Sequence, residues 1–238
     1  MSLPRALQVL TDLPLAIDPD EVLRFQGYKR GRDVASPDVR ALLDDALAEG
    51  ARLMAPRAVA CWVPVAGAGA HALEIERETL TIPRIGALWG PVTDVAVVVC
   101  TIGDALERLV SELWEARELP LASMLDSVGS GAVESLAEHV NDVLCQQGLP
   151  DLRVTNRISP GYADWDVAEQ PRLFRLAPAD AIGVTLNAAC VMTPGKSISL
   201  LVGAGRQARV DHYFTQCARC WMRDCAYRRA PARATVHR

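Results

Sequence analysis

The run Val95-Ala-Val-Val-Val-Cys100 limits the folds open to this chain more than any other segment. Six consecutive apolar residues lack the alternation of a strand with one wet face, so a central strand covered on both sides is expected. Thr93-Asp94 and Gly103 bound it. It is far shorter than the roughly 20 apolar residues that a bilayer-spanning helix needs. Such a strand demands covering layers, and 238 residues, 50% of them hydrophobic, are enough to supply them.

Those layers are legible as helices. Asp18-Pro19-Asp20-Glu21 carries a capping aspartate, a proline at the first helical position and a glutamate three residues after the cap, which predicts a short helix ending near Gly27. Ser36-Pro37-Asp38 opens a second, with Val39, Leu42, Leu43, Ala46 and Leu53 at helical spacing and an end near Met54. A third is expected over Asp104–Ala116, and a long one from about Leu121 to Cys145. Its interior Gly129-Ser130-Gly131 costs roughly 1 kcal/mol per glycine against alanine, which implies a kink or the close approach of another group. Residues 58–64, 71–75 and 80–82 read as strands, with Gly67-Ala-Gly69 as a hairpin turn. Glu169–Leu176 reads as a short helix. Ile182–Leu186 and Ser197–Val202 read as strands joined by Pro194-Gly195-Lys196. The Gly-x-Gly pairs at 67, 69 and at 203, 205 lack the third glycine of a dinucleotide loop and are assigned to turns. Helices and strands mix without regular βαβ alternation, so the class is α+β.

With 29 acidic and 25 basic residues, a net charge of −4 gives no electrostatic case for nucleic acid or an anionic membrane. Met1–Ala6 lacks the charged-then-apolar pattern of a secretory signal, and a soluble cytoplasmic protein is expected. Seven cysteines do not form a secreted disulfide framework. Cys61, Cys100, Cys145 and Cys190 read as small buried hydrophobes. Cys217, Cys220 and Cys225, separated by two and then four residues, can converge on zinc or an iron–sulfur cluster, with His212, Cys190 or an exogenous group as a fourth ligand. A Cys217–Cys220 redox pair and three unligated thiols are the alternatives.

The segment Arg157-Ile-Ser-Pro-Gly-Tyr162 is the candidate ligand loop. Arg157 offers a planar fork suited to a carboxylate. Pro160 stiffens the turn and biases Ser159 toward extended backbone. Gly161 permits positive φ and close approach of a ligand, and Tyr162 adds a ring face and a hydroxyl. On residue types alone, a surface turn with a salt-bridged arginine competes with this reading.

The same loop, with Gln170, Leu173-Phe174, Gly183-Val-Thr-Leu186, Met192–Ser199 and the upstream Asp126–Glu138, resembles the activation domain of cobalamin-dependent methionine synthase. The resemblance spans roughly residues 120–205. It implies a C-shaped single α+β domain over 1–205 with a twisted antiparallel sheet and flanking helices, and a Cys-containing extension over 206–238. It also implies S-adenosylmethionine as ligand, held by Arg157, Gly161 and Tyr162 with Ser159 and Pro160 shaping the turn. Glu134, Glu138 and Asp18 match the family's acidic positions, although Asp18 also reads as a helix cap and the two glutamates as solvated helix positions. The loop continues as Asp164-Trp165, unlike the multidomain enzyme. The implied role is reductive reactivation of a Co(II) corrinoid, with the cobalamin on a partner methyltransferase or corrinoid protein and the electron from a donor protein. A non-catalytic S-adenosylmethionine- or metal-binding accessory module is the second reading, and a structural metal-binding protein the third.

Overall fold

The computed structural model describes residues 3–147, 151–162 and 164–210. Its central strand is the apolar run. Strand β5 (Asp94–Thr101) is buried at every position. It follows β1 (Gln8–Thr11), β2 (Arg57–Ala68), β3 (Ala72–Ile75) and β4 (Glu78–Thr81), and precedes β6 (Arg153–Val154), β7 (Thr185–Leu186), β8 (Met192–Thr193) and β9 (Ser197–Gly205). The described residues form a seven-stranded antiparallel sheet in the order β4-β3-β2-β5-β9-β6, with β1 alongside the first half of β2. Strand β5 pairs along its whole length with β2 on one side and β9 on the other, placing Val98 opposite Ala60 and Leu200. A bulge between Val65 and Gly67 turns β2 toward the β3–β4 hairpin, so the sheet curls.

One face of the sheet, including Ala60, Trp62, Ala96, Val98, Leu200 and Val202, packs on Ala132, Leu136, Val140 and Leu144 of the long helix α5 (Leu119–Gln147). Helices α1 (Pro19–Phe25), α2 (Pro37–Leu53) and α4 (Ala105–Glu115) cover the other side of α5 through Val22, Leu43, Ala46, Leu106 and Val110. The opposite sheet face lies under α3 (Ile85–Trp89) and α6 (Gln170–Leu176), with Trp89, Trp165 and Leu173 in its core. The whole is a C-shaped α+β domain with a twisted antiparallel sheet and flanking helices.

The expected helix starts are where the capping residues put them: Asp18 accepts from the Asp20 N–H at 2.9 Å, and Ser36 from the Val39 N–H at 3.3 Å. Helix α5 runs unbroken through its glycines, of which Gly129 is crowded and Gly131 is in ordinary contact. A β-carbon on Gly129 would stand 3.0 Å from Leu106 and 3.2 Å from Lys196; one on Gly131 would stand 3.4 Å from Val22 and 3.5 Å from Ile17.

Several expectations need correction. The first hairpin turns at 69–71, with the Gly69 N–H donating to the Ala72 carbonyl, while Gly67 lies inside β2. Gly203 and Gly205 lie in β9 and not in a turn, because side chains there would strike Trp89 and Val92, or the Pro91 carbonyl. The expected strand 182–186 is a 3-10 turn over Asp180–Ile182 followed by β7, which pairs with β8 and leaves β9 to the main sheet. Strands β1 and β6 and helix α3 were not expected. Cys217, Cys220, Cys225 and His212 lie outside the described residues.

Candidate functional site

Helix α5 keeps a single strip of its middle turns open to solvent. Between Met124 and Glu138, only Asp126, Ser130, Glu134, Ser135 and Glu138 escape burial. Four of these recur every fourth residue and so form one ridge.

The loop from 155 to 165 lies against that ridge because β9 holds its base. The Thr155 N–H donates to the Gly203 carbonyl, and Ile158 exchanges two backbone hydrogen bonds with Leu201 at 2.9 and 2.8 Å. This leaves Arg157, 9% exposed, aimed at α5. Its Nη2 lies 2.6 Å from Glu134 Oε2 and 3.6 Å from Glu138 Oε1. Burial works against the cation, but the charge and hydrogen bond of Glu134, with Glu138 behind, outweigh it and raise the Arg157 pKa. The Tyr162 hydroxyl donates to the other oxygen of Glu134 at 3.4 Å.

Beyond Pro160 the loop closes on itself. The Gly161 N–H donates to the Trp165 carbonyl at 2.7 Å, and the Trp165 N–H returns to the Tyr162 carbonyl at 2.9 Å. Gly161 adopts φ +87°, and nothing lies within 4 Å of where its β-carbon would be, so main chain is presented to open space. Ser159 Oγ and Trp165 Nε1 are buried without a hydrogen-bond partner among the described residues. Buried donors are normally satisfied by protein or ordered water, so these two are the loop's unmet hydrogen-bonding groups.

The loop is also tied at its far end. Glu169 accepts from the Thr81 N–H at 3.0 Å, Arg172 donates to the Thr79 carbonyl, and Arg175 grips Glu78 with bonds of 2.6 and 2.9 Å. These contacts cap the outer edge of β4.

Arg157, Ser159, Pro160, Gly161, Tyr162, Glu134 and Glu138 are thus brought together. Asp18 is not joined to them by any described contact: it caps α1 and is exposed. Its segment nevertheless borders the ridge, with Ile17 against Gly131 and the Ala16 carbonyl accepting from Ser135 at 3.0 Å. Asp126 and Lys196 also meet on the ridge, and for Asp126 the four-residue spacing from 126 to 138 is a signal in the sequence. Lys196 Nζ lies 2.8 Å from Asp126 Oδ1 and 2.9 Å from Ser130 Oγ. Glu107 of α4 holds the turn that carries it, accepting from the N–H groups of Gly195 and Lys196.

Cys61 and Cys100 are buried, as expected, whereas Cys145 is exposed and Cys190 only partly buried. Burial pushes Cys100 up to about 12, and burial with the charge of Glu76 pushes Cys61 up to about 11. No group of three or more His, Cys, Asp or Glu among the described residues is arranged to hold a metal. No described helix is long and apolar enough to cross a membrane.

A solved structure of the MetH reactivation domain bound to AdoHcy superposes on this chain with a TM-score of 0.61. The match covers 90% of this chain and 82% of that one at 14% sequence identity. The fold is that of the MetH reactivation domain. No protein-family model matches the sequence, and no curated protein matches it. The likeness to the MetH reactivation domain therefore lies in the path of the backbone and the order of its elements.

Proposed function

We propose that this protein binds S-adenosylmethionine against the α5 ridge and supports reductive methylation of a Co(II) corrinoid carried by a partner methyltransferase. The observation that carries the reading is the buried Arg157 fork, set between Glu134 and Glu138 beside the open backbone of Gly161. The AdoHcy-bound MetH reactivation domain supports the choice of ligand, since it shares the fold.

The residues present suit that ligand. One guanidinium and two carboxylates complement an α-carboxylate, an α-ammonium and a sulfonium cation. Ser159 and Trp165 hold donors in reserve, Pro160 stiffens the turn, and Tyr162 offers a ring face at the rim. Asp18, the exposed cap of α1, is proposed as a further acidic group.

A reduced corrinoid on the partner would supply the nucleophile that takes the methyl group, with S-adenosylhomocysteine as the leaving group. This chain then needs no nucleophile or general base. Its work is positioning and electrostatics. A separate donor protein delivers the electron. Division of the chain into an activation-domain-like 1–205 and a 206–238 extension belongs to the same proposal, with Cys217, Cys220 and Cys225 as ligands of zinc or an iron–sulfur cluster.

Isothermal titration tests the ligand claim. Wild-type protein should bind S-adenosylmethionine, and Arg157→Ala should not; absence of binding by wild type, or equal binding by the variant, overturns it. Turnover assays with a Co(II) corrinoid protein and a reductant separate methyl transfer from simple storage of the donor. Metal analysis and an anaerobic visible spectrum address the cysteines.

A further inference from the structure

The geometry points to a second ligand subsite on the same ridge, a ribose-binding pair formed by Asp126 and Lys196. This assignment rests on the proposed S-adenosylmethionine reading and extends it to the nucleoside end of the ligand.

Three observations converge on the pair. The first is position. Asp126 lies eight residues before Glu134 on one helix, about 12 Å along the axis at 1.5 Å per residue. A ligand whose amino-acid end meets Arg157 and Glu134 and which runs toward the N-terminus of α5 reaches Ser130 and then Asp126.

The second is spare hydrogen-bonding capacity. An ammonium has three N–H donors, and those of Lys196 meet Asp126 and Ser130 and no other described residue. The Asp126 carboxylate binds Lys196 through Oδ1, and Oδ2 has no described partner. A donor and an acceptor thus stand side by side, the complement of a vicinal diol, whose hydroxyls both give and take. A carboxylate accepting from a ribose hydroxyl is a recurrent device of nucleotide sites.

The third is preorganisation. The Lys196 side chain is only 16% exposed, and its stem lies across Gly129, where a side chain would displace it. Its backbone N–H is held by Glu107. Asp126 is 52% exposed, so the open side of the pair faces incoming ligand. A lysine serving only to neutralise a surface aspartate does not need this confinement, since exposed pairs contribute little to stability.

The test compares S-adenosylhomocysteine with its 2′-deoxyribose analogue by isothermal titration on the full-length protein. Wild type should prefer the ribose form by about tenfold, the worth of one hydrogen bond to a charged group. Asp126→Asn, isosteric and uncharged, should cut that preference to about twofold or less, and Lys196→Met, which keeps the stem over Gly129, should weaken both ligands about equally. Thermal midpoints close to wild type confirm that the variants fold. If wild type binds with Arg157 dependence but shows no preference for the ribose form, or if Asp126→Asn keeps the full preference, the subsite is wrong while the S-adenosylmethionine reading stands. If wild type binds neither ligand, both fall.

Discussion

Arg157 is a cation buried deeply enough that its charge must be answered locally, and Glu134 and Glu138 answer it from one helix face. Two predictions belong to single side chains. Arg157→Lys keeps the charge but loses the planar fork, so S-adenosylmethionine affinity should fall about tenfold or more by calorimetry. Arg157→Ala removes the cation that answers both glutamates and should also lower stability by about 3 kcal/mol, read from urea unfolding. The thiols make the second case. Burial and the charge of Asp142 push the Cys145 thiol up as well, so access decides: buried Cys61 and Cys100 should resist iodoacetamide at pH 8 in the native protein while exposed Cys145 is modified first, as mass spectrometry would resolve. For Cys100 the native pKa lies near 12, above the ordinary thiol value of 9.0. The unfolded chain therefore loses this proton first as pH rises. The contribution of the buried thiol is complete below pH 9 and falls away between 9 and about 12.

Elements meet in this protein by removing side chains as often as by adding them. Strand β9 passes under α3 only because Gly203 and Gly205 are bare, so Gly205→Ala, whose β-carbon would lie 2.6 Å from the Pro91 carbonyl, should cost about 2 kcal/mol or more in thermal unfolding. The edge of β4 depends on α6 and the turn before it. Glu169→Ala should speed hydrogen exchange at the Thr81 amide at least about tenfold, since that N–H loses its acceptor. These arrangements also explain what could be read from the residues beforehand. Caps at Asp18 and Ser36, the period of α2 and the unbroken apolar β5 are local signals, and each stands where it was expected. Gly203 and Gly205 looked like turn residues because the reason for their bareness, Trp89 and Pro91, lies more than a hundred residues away. Strand β1 and helix α3 are too short to show a period. At the site, Glu134 and Glu138 were legible through resemblance, whereas Lys196 meets Asp126 only after β9 has docked beside β5.

Across the whole molecule, α5 serves both the core and the site, one face packed on the sheet and one ridge turned to the ligand loop. Ligand held on that ridge should therefore stabilise the entire domain. At about 100 times its dissociation constant, S-adenosylmethionine should add about 2.7 kcal/mol, visible as a raised thermal midpoint in wild type and absent in Arg157→Ala. The order of the strands has a further consequence. Strand β5 waits for β9, whose residues follow it by about a hundred positions, and the base of the Arg157 loop is hydrogen-bonded to β9. During synthesis, the polypeptide emerging from the ribosome thus carries Arg157 to Tyr162 before β9 can fix their loop in place. A nascent chain arrested ahead of residue 197 should expose the apolar run 95–99 along an open edge and recruit chaperones, whereas one released past residue 205 should bury it and acquire its binding site in the same step.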